Sequence, residues 1–295
     1  MRKLIFLLMK IYLKPFLGKG LSKFLPTRFI RFVYKIFFSK IRPDVATVGN
    51  NKMLLNSLEA FRLALNDYDV REKFETDYFK NNIKPGMTVL DLGANIGFYT
   101  LLFAELVGKE GRVFAFEPEP NNFSALEKNV KLNKLTNTTL VRKAVSDKTG
   151  EIDLFISESM GRHTIYNTKN SRETIKIGSV SLDDFLRKYT KSIDFIKMDI
   201  EGSEYAALLG MSSILEKNKN VKIVTEFMPD ALKTFGIKPE EYLNLLIKHG
   251  FKIYNINEKK KKTEPVSIEK IMKFCKRAKY ANLLCVREVS RKRNS

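Results

Sequence analysis

The chain has 295 residues, with 53 Lys and Arg against 33 Asp and Glu, two His, two Cys and no Trp. At about 100–200 residues per domain this is one large domain or a domain with appendages, and 44% hydrophobic against 29% charged residues excludes a globally disordered chain. Two cysteines cannot build a disulfide framework, Cys275 and Cys285 lack metal-site spacing, and two histidines give no His-rich metal centre.

The net charge of +20 is unevenly placed. Residues 1–44 carry 11 basic residues and one acid, or +10; residues 258–295 carry 13 against four, or +9. The stretch between them holds 29 basic and 28 acidic residues and is nearly neutral. This is not the even basic surface of a protein that wraps nucleic acid.

The N-terminal apolar run Leu4 to Met9 is broken by Lys10 and has no small-residue cleavage site behind it, so it does not read as a signal peptide. No stretch approaches the roughly 20 apolar residues that span a bilayer. At about 100° per residue, Lys3, Lys10 and Lys14 share one face, with Leu4, Ile5, Leu8 and Ile11 largely elsewhere. A second segment puts Arg28, Arg31, Lys35 and Arg42 on one side and Phe29, Phe32, Val33 and Phe37 around the rest. Residues 1–44 are therefore expected to be basic amphipathic helices that lie in an anionic headgroup layer or cap the domain. Residues 45–84 read as a helical lead-in, and a globular domain is expected over 85–290.

From residue 85 the pattern alternates. The turn Lys84-Pro85-Gly86 precedes an apolar strand, Met87 to Leu90, and a helical period through Phe98, Leu101, Leu102 and Leu106 ends at Gly108. Strand Arg112 to Phe116, helix 121–133 and a strand from Thr139 follow, then an extra strand, Glu151 to Ser157, and a polar loop over 158–173. Ile193 to Met198 is strand, 203–217 helix, Val221 to Glu226 strand, 239–249 helix, and Phe251 to Ile256 and Asn282 to Arg287 are strands. Lys259 to Lys262 reads as an exposed loop. Alternation of this kind implies an α/β fold, a mostly parallel sheet covered on both faces, with ligands beyond the carboxyl ends of the strands.

The residues that close the strands carry the chemistry. Asp91, Gly93 and Gly97 sit in a strand-to-helix turn whose spacing is neither G-x-G-x-x-G nor a P-loop, and an acid at its start repels phosphate but suits an ammonium or sulfonium. Glu117 closes the next strand, where a carboxylate can accept both hydroxyls of a ribose. An acid at the glycine loop and another after the second strand point to a cationic nucleoside, S-adenosyl-L-methionine.

The segments 88–97 (TVLDLGANIG), 116–118 (FEP), 181–184 (SLDD) and 196–202 (IKMDIEG) resemble the FkbM-type methyltransferases over roughly residues 75–257. The resemblance implies a class I methyltransferase fold, a Rossmann-like three-layer sandwich with a seven-stranded sheet whose last strand runs antiparallel. It also implies S-adenosylmethionine as donor and O-methylation of hydroxyls on sugars and secondary metabolites. On this chain it assigns Asp91, Gly93, Asn95 and Gly97 to the methionine end, Glu117 to the ribose, and the Ala144-Val145 turn to the surroundings of the adenine.

Methyl transfer from a sulfonium to a hydroxyl is an in-line displacement helped by a base within hydrogen-bond reach. Asp199, Glu201 and Glu226 at strand ends and His163 in the polar loop are the candidates. Blander roles exist for each: Asp199 capping the next helix, Glu201 pairing with Lys197, Glu226 ending a strand, His163 simply exposed. The three acids could also gather a divalent ion, although a metal-free mechanism is preferred. The expected acceptor is a hydroxyl of a glycan, a lipid-linked sugar or a similar metabolite, met by a cytoplasmic enzyme peripheral to the inner membrane face. Methylation of RNA gripped by the basic ends is the competing reading, disfavoured because the chain has no Pro-Pro-Tyr/Phe element and no Pro-Cys nucleophile. A non-catalytic membrane-associated binding module is the third.

Overall fold

The computed structural model describes residues 44–54, 72–157, 163–164 and 171–287. The expected amphipathic helices over 1–44 lie almost wholly outside the described residues.

The chain divides into two compact units, residues 1–73 with 131–133, and residues 74–130 with 134–295. In the first, β1 (Val45–Val48) and β2 (Asn51–Leu54) form an antiparallel hairpin around Gly49 and Asn50, where a helical lead-in was expected. Gly49 takes a positive φ of 59°, as a two-residue hairpin turn requires, so turn chemistry overrides the helical reading there.

The second unit begins within helix α1 (Lys73–Asn82), at Phe74. There follow β3 (Thr88–Leu92), α2 (Phe98–Val107), β4 (Arg112–Phe116), α3 (Pro120–Leu132), β5 (Thr138–Val141) and β6 (Ala144–Val145). Next come β7 (Gly150–Ser157), β8 (His163–Thr164), β9 (Ser171–Val180), α4 (Leu182–Phe185) and β10 (Phe195–Met198). The remainder is α5 (Glu204–Leu209), α6 (Ser212–Lys217), β11 (Lys222–Phe227), α7 (Pro229–Thr234), α8 (Pro239–Lys248), β12 (Lys252–Asn257), β13 (Lys262–Pro265), α9 (Ile268–Ala278) and β14 (Ala281–Val286).

The main sheet has the order β13-β12-β14-β11-β10-β3-β4-β5. Strands β5, β4, β3, β10 and β11 run parallel, and β14 runs antiparallel between β11 and β12. The antiparallel last strand is as expected, but the sheet has eight strands and not seven: the lysine segment is a turn over 258–261, as read, and from Lys262 the chain turns back as edge strand β13. The expected polar loop over 158–173 likewise contains β8 and the start of β9, which join β6 and β7 in a second sheet, β6-β9-β7-β8.

Both faces of the main sheet are covered, as continuous apolar strands demand. On one face Val89 and Phe195 meet α1 and α2, where Phe79 makes edge-to-face contacts with Phe103 at 4.9 Å and Phe195 at 5.5 Å. On the other, Leu90, Leu92, Ile196, Met198, Ile223 and Leu283 join a core with α5, α6, α8 and α9. The helix expected over 203–217 is two helices broken at Gly210 and Met211, and position 210 admits only glycine, since a Cβ there would stand 2.1 Å from the Ser146 carbonyl oxygen. The second of them, α6, is capped by the Asp183 carboxylate, which accepts the Ser213 and Ile214 amides at 2.9 Å each. Ser181 caps α4 in the same way, accepting from the Asp184 amide. The SLDD segment is thus structural.

Candidate active site

The carboxyl ends of β3, β4, β10 and β11 meet at one rim of the sheet. Beyond β3 the loop turns at Gly93, whose amide and that of Ala94 both donate to the Phe116 carbonyl, at 3.0 and 2.9 Å. Asp199 at the end of β10 donates its amide to the Leu92 carbonyl at 3.1 Å. The loop is therefore clamped between the ends of β4 and β10. Gly93 has φ of 81°, and a Cβ there would fall 1.9 Å from the Asp199 carbonyl oxygen, so the position admits only glycine. Gly97 (φ 98°) opens α2 against Leu126, and Asn95 is itself left-handed at φ 50°. Asn129 of α3 donates to the Ile96 carbonyl at 2.7 Å and holds the far side of the loop. Gly93→Ala is expected to cost about 2–3 kcal/mol through backbone strain and overpacking, read as a lower midpoint in chemical denaturation.

Glu117 immediately follows β4. Its Oε2 accepts the Asn95 amide at 2.8 Å and its Oε1 the Glu119 amide at 2.9 Å, so one carboxylate bridges the glycine loop and the start of α3. Burial pushes this carboxyl up to about 7, while the two amides pull it down. The Asn122 side chain also hydrogen-bonds this carboxylate, whose paired oxygens are the kind of acceptor that the two donating hydroxyls of a ribose need.

Asp91 is placed differently from the expectation of a residue lining the methionine end. It points under α2 with 0% exposure, accepts the Thr100 hydroxyl at 2.6 Å, and lies directly opposite Lys197 on β10. Its Oδ1 has no hydrogen-bond partner. Burial drives its carboxyl above the usual range, with Lys197 and Thr100 opposing. Ala144 and Val145 form β6, both buried and paired with Ser179 and Val180 of the second sheet.

Of the proposed bases, Asp199 and Glu226 stand at neighbouring strand ends on the α1 face, each two residues beyond the registered pair Lys197 and Val224. The Asp199 side chain is 45% exposed, and its Oδ2 lies 3.5 Å from the Nζ of Lys197, whose own side chain is only 6% exposed. The lysine expected to pair with Glu201 thus contacts Asp199, and its Nζ also sits 4.9 Å above the Tyr99 ring. Glu201 occupies the turn after β10 with φ of 54°. His163 is not in a loop: it lies on β8, opposite Ile156, in the second sheet. Among the described residues no group of three or more His, Cys, Asp or Glu is arranged to hold a metal ion.

Two residues outside the expected set shape the site. Lys197, a charge in the apolar strand Phe-Ile-Lys-Met, signals by its position that it needs buried partners. Glu204, the first residue of α5, folds back to accept the Ile200 amide at 3.1 Å and ties down the turn that carries Asp199. Burial lifts its carboxyl to about 7, and the Asp199 charge adds to that.

A strand order with an antiparallel strand between the fifth and sixth parallel ones, a glycine loop after the first and a carboxylate after the second define an S-adenosylmethionine-dependent methyltransferase. Residues 91–253 match the methyltransferase FkbM domain, and the chain belongs to that family. Over 180 residues it is 28% identical to the 2-O-methyltransferase NoeI of Sinorhizobium fredii, covering 55% of this chain and 72% of that one. Over 128 residues it is 29% identical to the hexuronic acid methyltransferase AglP of Haloferax volcanii, covering 43% of this chain and half of that one. The solved structure of methyltransferase FkbM from Methylobacillus flagellatus superposes with a TM-score of 0.42 at 16% identity, covering 79% of this chain and 56% of that one.

Proposed function

We propose that the enzyme O-methylates a hydroxyl of a glycan, a lipid-linked sugar or a similar metabolite presented at a membrane surface. The observation that carries this is Asp199: a half-open carboxylate at a strand end, in backbone contact with the cofactor loop and backed by a buried lysine. When bound, S-adenosylmethionine supplies an electrophilic methyl group on a sulfonium. Glu117 holds the ribose diol, and the backbone of Gly93 to Gly97 shapes the methionine end. Asp91, enclosed under α2, supports that loop through Thr100 and steadies Lys197. Asp199 would accept the proton of the acceptor hydroxyl as that hydroxyl oxygen takes the methyl group. Glu226, one strand away on the same face, orients the acceptor.

The sugar acceptor is supported by the printed activities of the two relatives, a 2-O-methyltransferase and a hexuronic acid methyltransferase. The membrane setting is supported by the +10 of residues 1–44, a sequence in which basic residues are interleaved with aromatic and aliphatic ones. No helix among the described residues is long and apolar enough to cross a membrane. The test supplies purified enzyme and methyl-labelled S-adenosylmethionine to fractionated membranes, free polysaccharide and total RNA. Base-stable label is expected in lipid-linked saccharide. Label confined to RNA overturns the proposal.

A further inference from the structure

The C-terminal charge has a definite place in the fold. Strand β14 begins at Ala281, which pairs with Phe227 at the carboxyl end of β11. Helix α9 leads directly into β14, so the C-terminal end of α9 lies at the same rim as Asp199 and Glu117. Strand β12 runs parallel to β11, and its last residue, Asn257, pairs with Lys262 across the turn to β13. That lysine turn, 259–262, is therefore also at the active rim, three strands from β10, or about 14 Å at the usual strand spacing.

Between Lys259 and Lys279 there are nine Lys and Arg against Glu264 and Glu269. Glu264 is taken by Lys260 at 3.4 Å and Lys262 at 2.7 Å. At about 100° per residue, Lys270, Lys273, Phe274 and Arg277 fall within about 100° of one side of α9, opposite Ile271 and Cys275, which are buried in the core. Phe274 (41% exposed) and Tyr280 (38%) are two of four exposed large hydrophobic residues among the described residues. The turn apex Lys261 (φ 49°) and the α9 cap Lys279 (φ 71°) both take left-handed backbone, where glycine or asparagine fits more easily than lysine.

From this arrangement we infer that the outer face of α9 and the 259–262 turn dock on an anionic phospholipid bilayer, with Phe274 and Tyr280 at headgroup level and the active rim turned toward the membrane. Cations interleaved with aromatic rings suit an anionic interface. The surface is a convex helix side, which meets a plane more readily than single-stranded nucleic acid, a ligand that takes a groove. The inference deepens the membrane reading proposed above and rests on it for the location of the acceptor, but it uses none of residues 1–44.

Because the chain has no tryptophan, a single introduced indole reports its own surroundings. Full-length Phe274→Trp is titrated with vesicles of phosphatidylcholine alone or with 30% phosphatidylglycerol. The comparison is Ile247→Trp, 48% exposed near the C-terminal end of α8, which the start of β12 at Lys252 places at the opposite rim. A blue shift is expected for Phe274→Trp with anionic vesicles only, and none for Ile247→Trp. Adding Lys273→Glu and Arg277→Glu is expected to weaken the vesicle titration at least about tenfold with S-adenosylmethionine affinity unchanged. Sedimentation with vesicles but no shift at position 274, or equal shifts at both positions, overturns the inference and leaves the membrane reading standing. Failure to sediment with anionic vesicles at all overturns both. A shift produced by single-stranded RNA or polygalacturonate and not by vesicles also overturns it.

Discussion

Glu117→Ala is expected to weaken S-adenosylmethionine binding about 300-fold, measured by calorimetric titration at pH 8. The substitution removes an acceptor that each ribose hydroxyl would meet as a charge-assisted hydrogen bond, worth about 1.5–3 kcal/mol apiece, and 1.4 kcal/mol is a factor of ten. The same residue gives the affinity a pH dependence whose sign follows from its raised carboxyl. Burial lifts it to about 7 from an ordinary value of 4.5, so folding takes up a proton between those values. The group's contribution to stability is therefore greatest below pH 4.5 and is lost as pH rises to about 7. Ribose hydroxyls donate to the ionised form, so binding releases that proton. Affinity is expected to be level above pH 8 and about tenfold weaker at pH 6. Glu204 is lifted into the same range, which makes Glu117→Gln the informative control: it should bind weakly at every pH and show no slope between 6 and 8. A slope that survives in Glu117→Gln belongs to Glu204, and a Glu117→Ala affinity within threefold of the parent removes Glu117 from the cofactor site.

The parts of this fold that were legible in the sequence are those governed by local rules. Apolar runs ending in Gly93 or Glu117 mark parallel strands, since a strand buried on both faces has no polar alternation and its ligand-binding residue must come just after it. Gly93 itself is readable as a special conformation, although only the structure shows that the Asp199 carbonyl is what excludes a side chain. Two elements were hidden by charge. Ile268, Ile271, Met272 and Cys275 follow helical spacing, but eight of the residues from Lys259 to Arg277 are basic and draw the eye to a solvated tail. The same lysines disguise β13. The direction in which a strand side chain points is a tertiary matter: Asp91 reads as a loop acid, yet strand parity in β3 turns it toward α2 and Lys197. His249, which follows the last residue of α8, has its imidazole pushed below the ordinary value by burial. Arg287 does the capping, donating to the carbonyls of His249, Leu215 and Asn218 from 38, 72 and 69 residues away, a distance no local rule reaches.

Asp199→Asn is expected to lower kcat about 1,000-fold while leaving the S-adenosylmethionine Kd within about threefold. The amide keeps the size of the side chain and one oxygen facing Lys197, so the turn held by Glu204 should persist and thermal stability should change little. What it cannot do is take the proton from an attacking hydroxyl, and loss of a general base costs about 10²–10⁴ in rate. Lys197→Met separates pairing from chemistry. It leaves Asp91 buried without its opposite charge, and removing one partner of a buried charge pair is strongly destabilising. Its loss of activity should therefore come with a lower melting temperature, which Asp199→Asn should not show. Glu226→Gln tests the neighbouring strand: a change in KM for the acceptor with kcat held within tenfold fits an orienting role. If Glu226→Gln or Glu201→Gln abolishes turnover and Asp199→Asn does not, the base has been misassigned by one strand or by two residues, and the half-open carboxylate beside Lys197 is a structural pair.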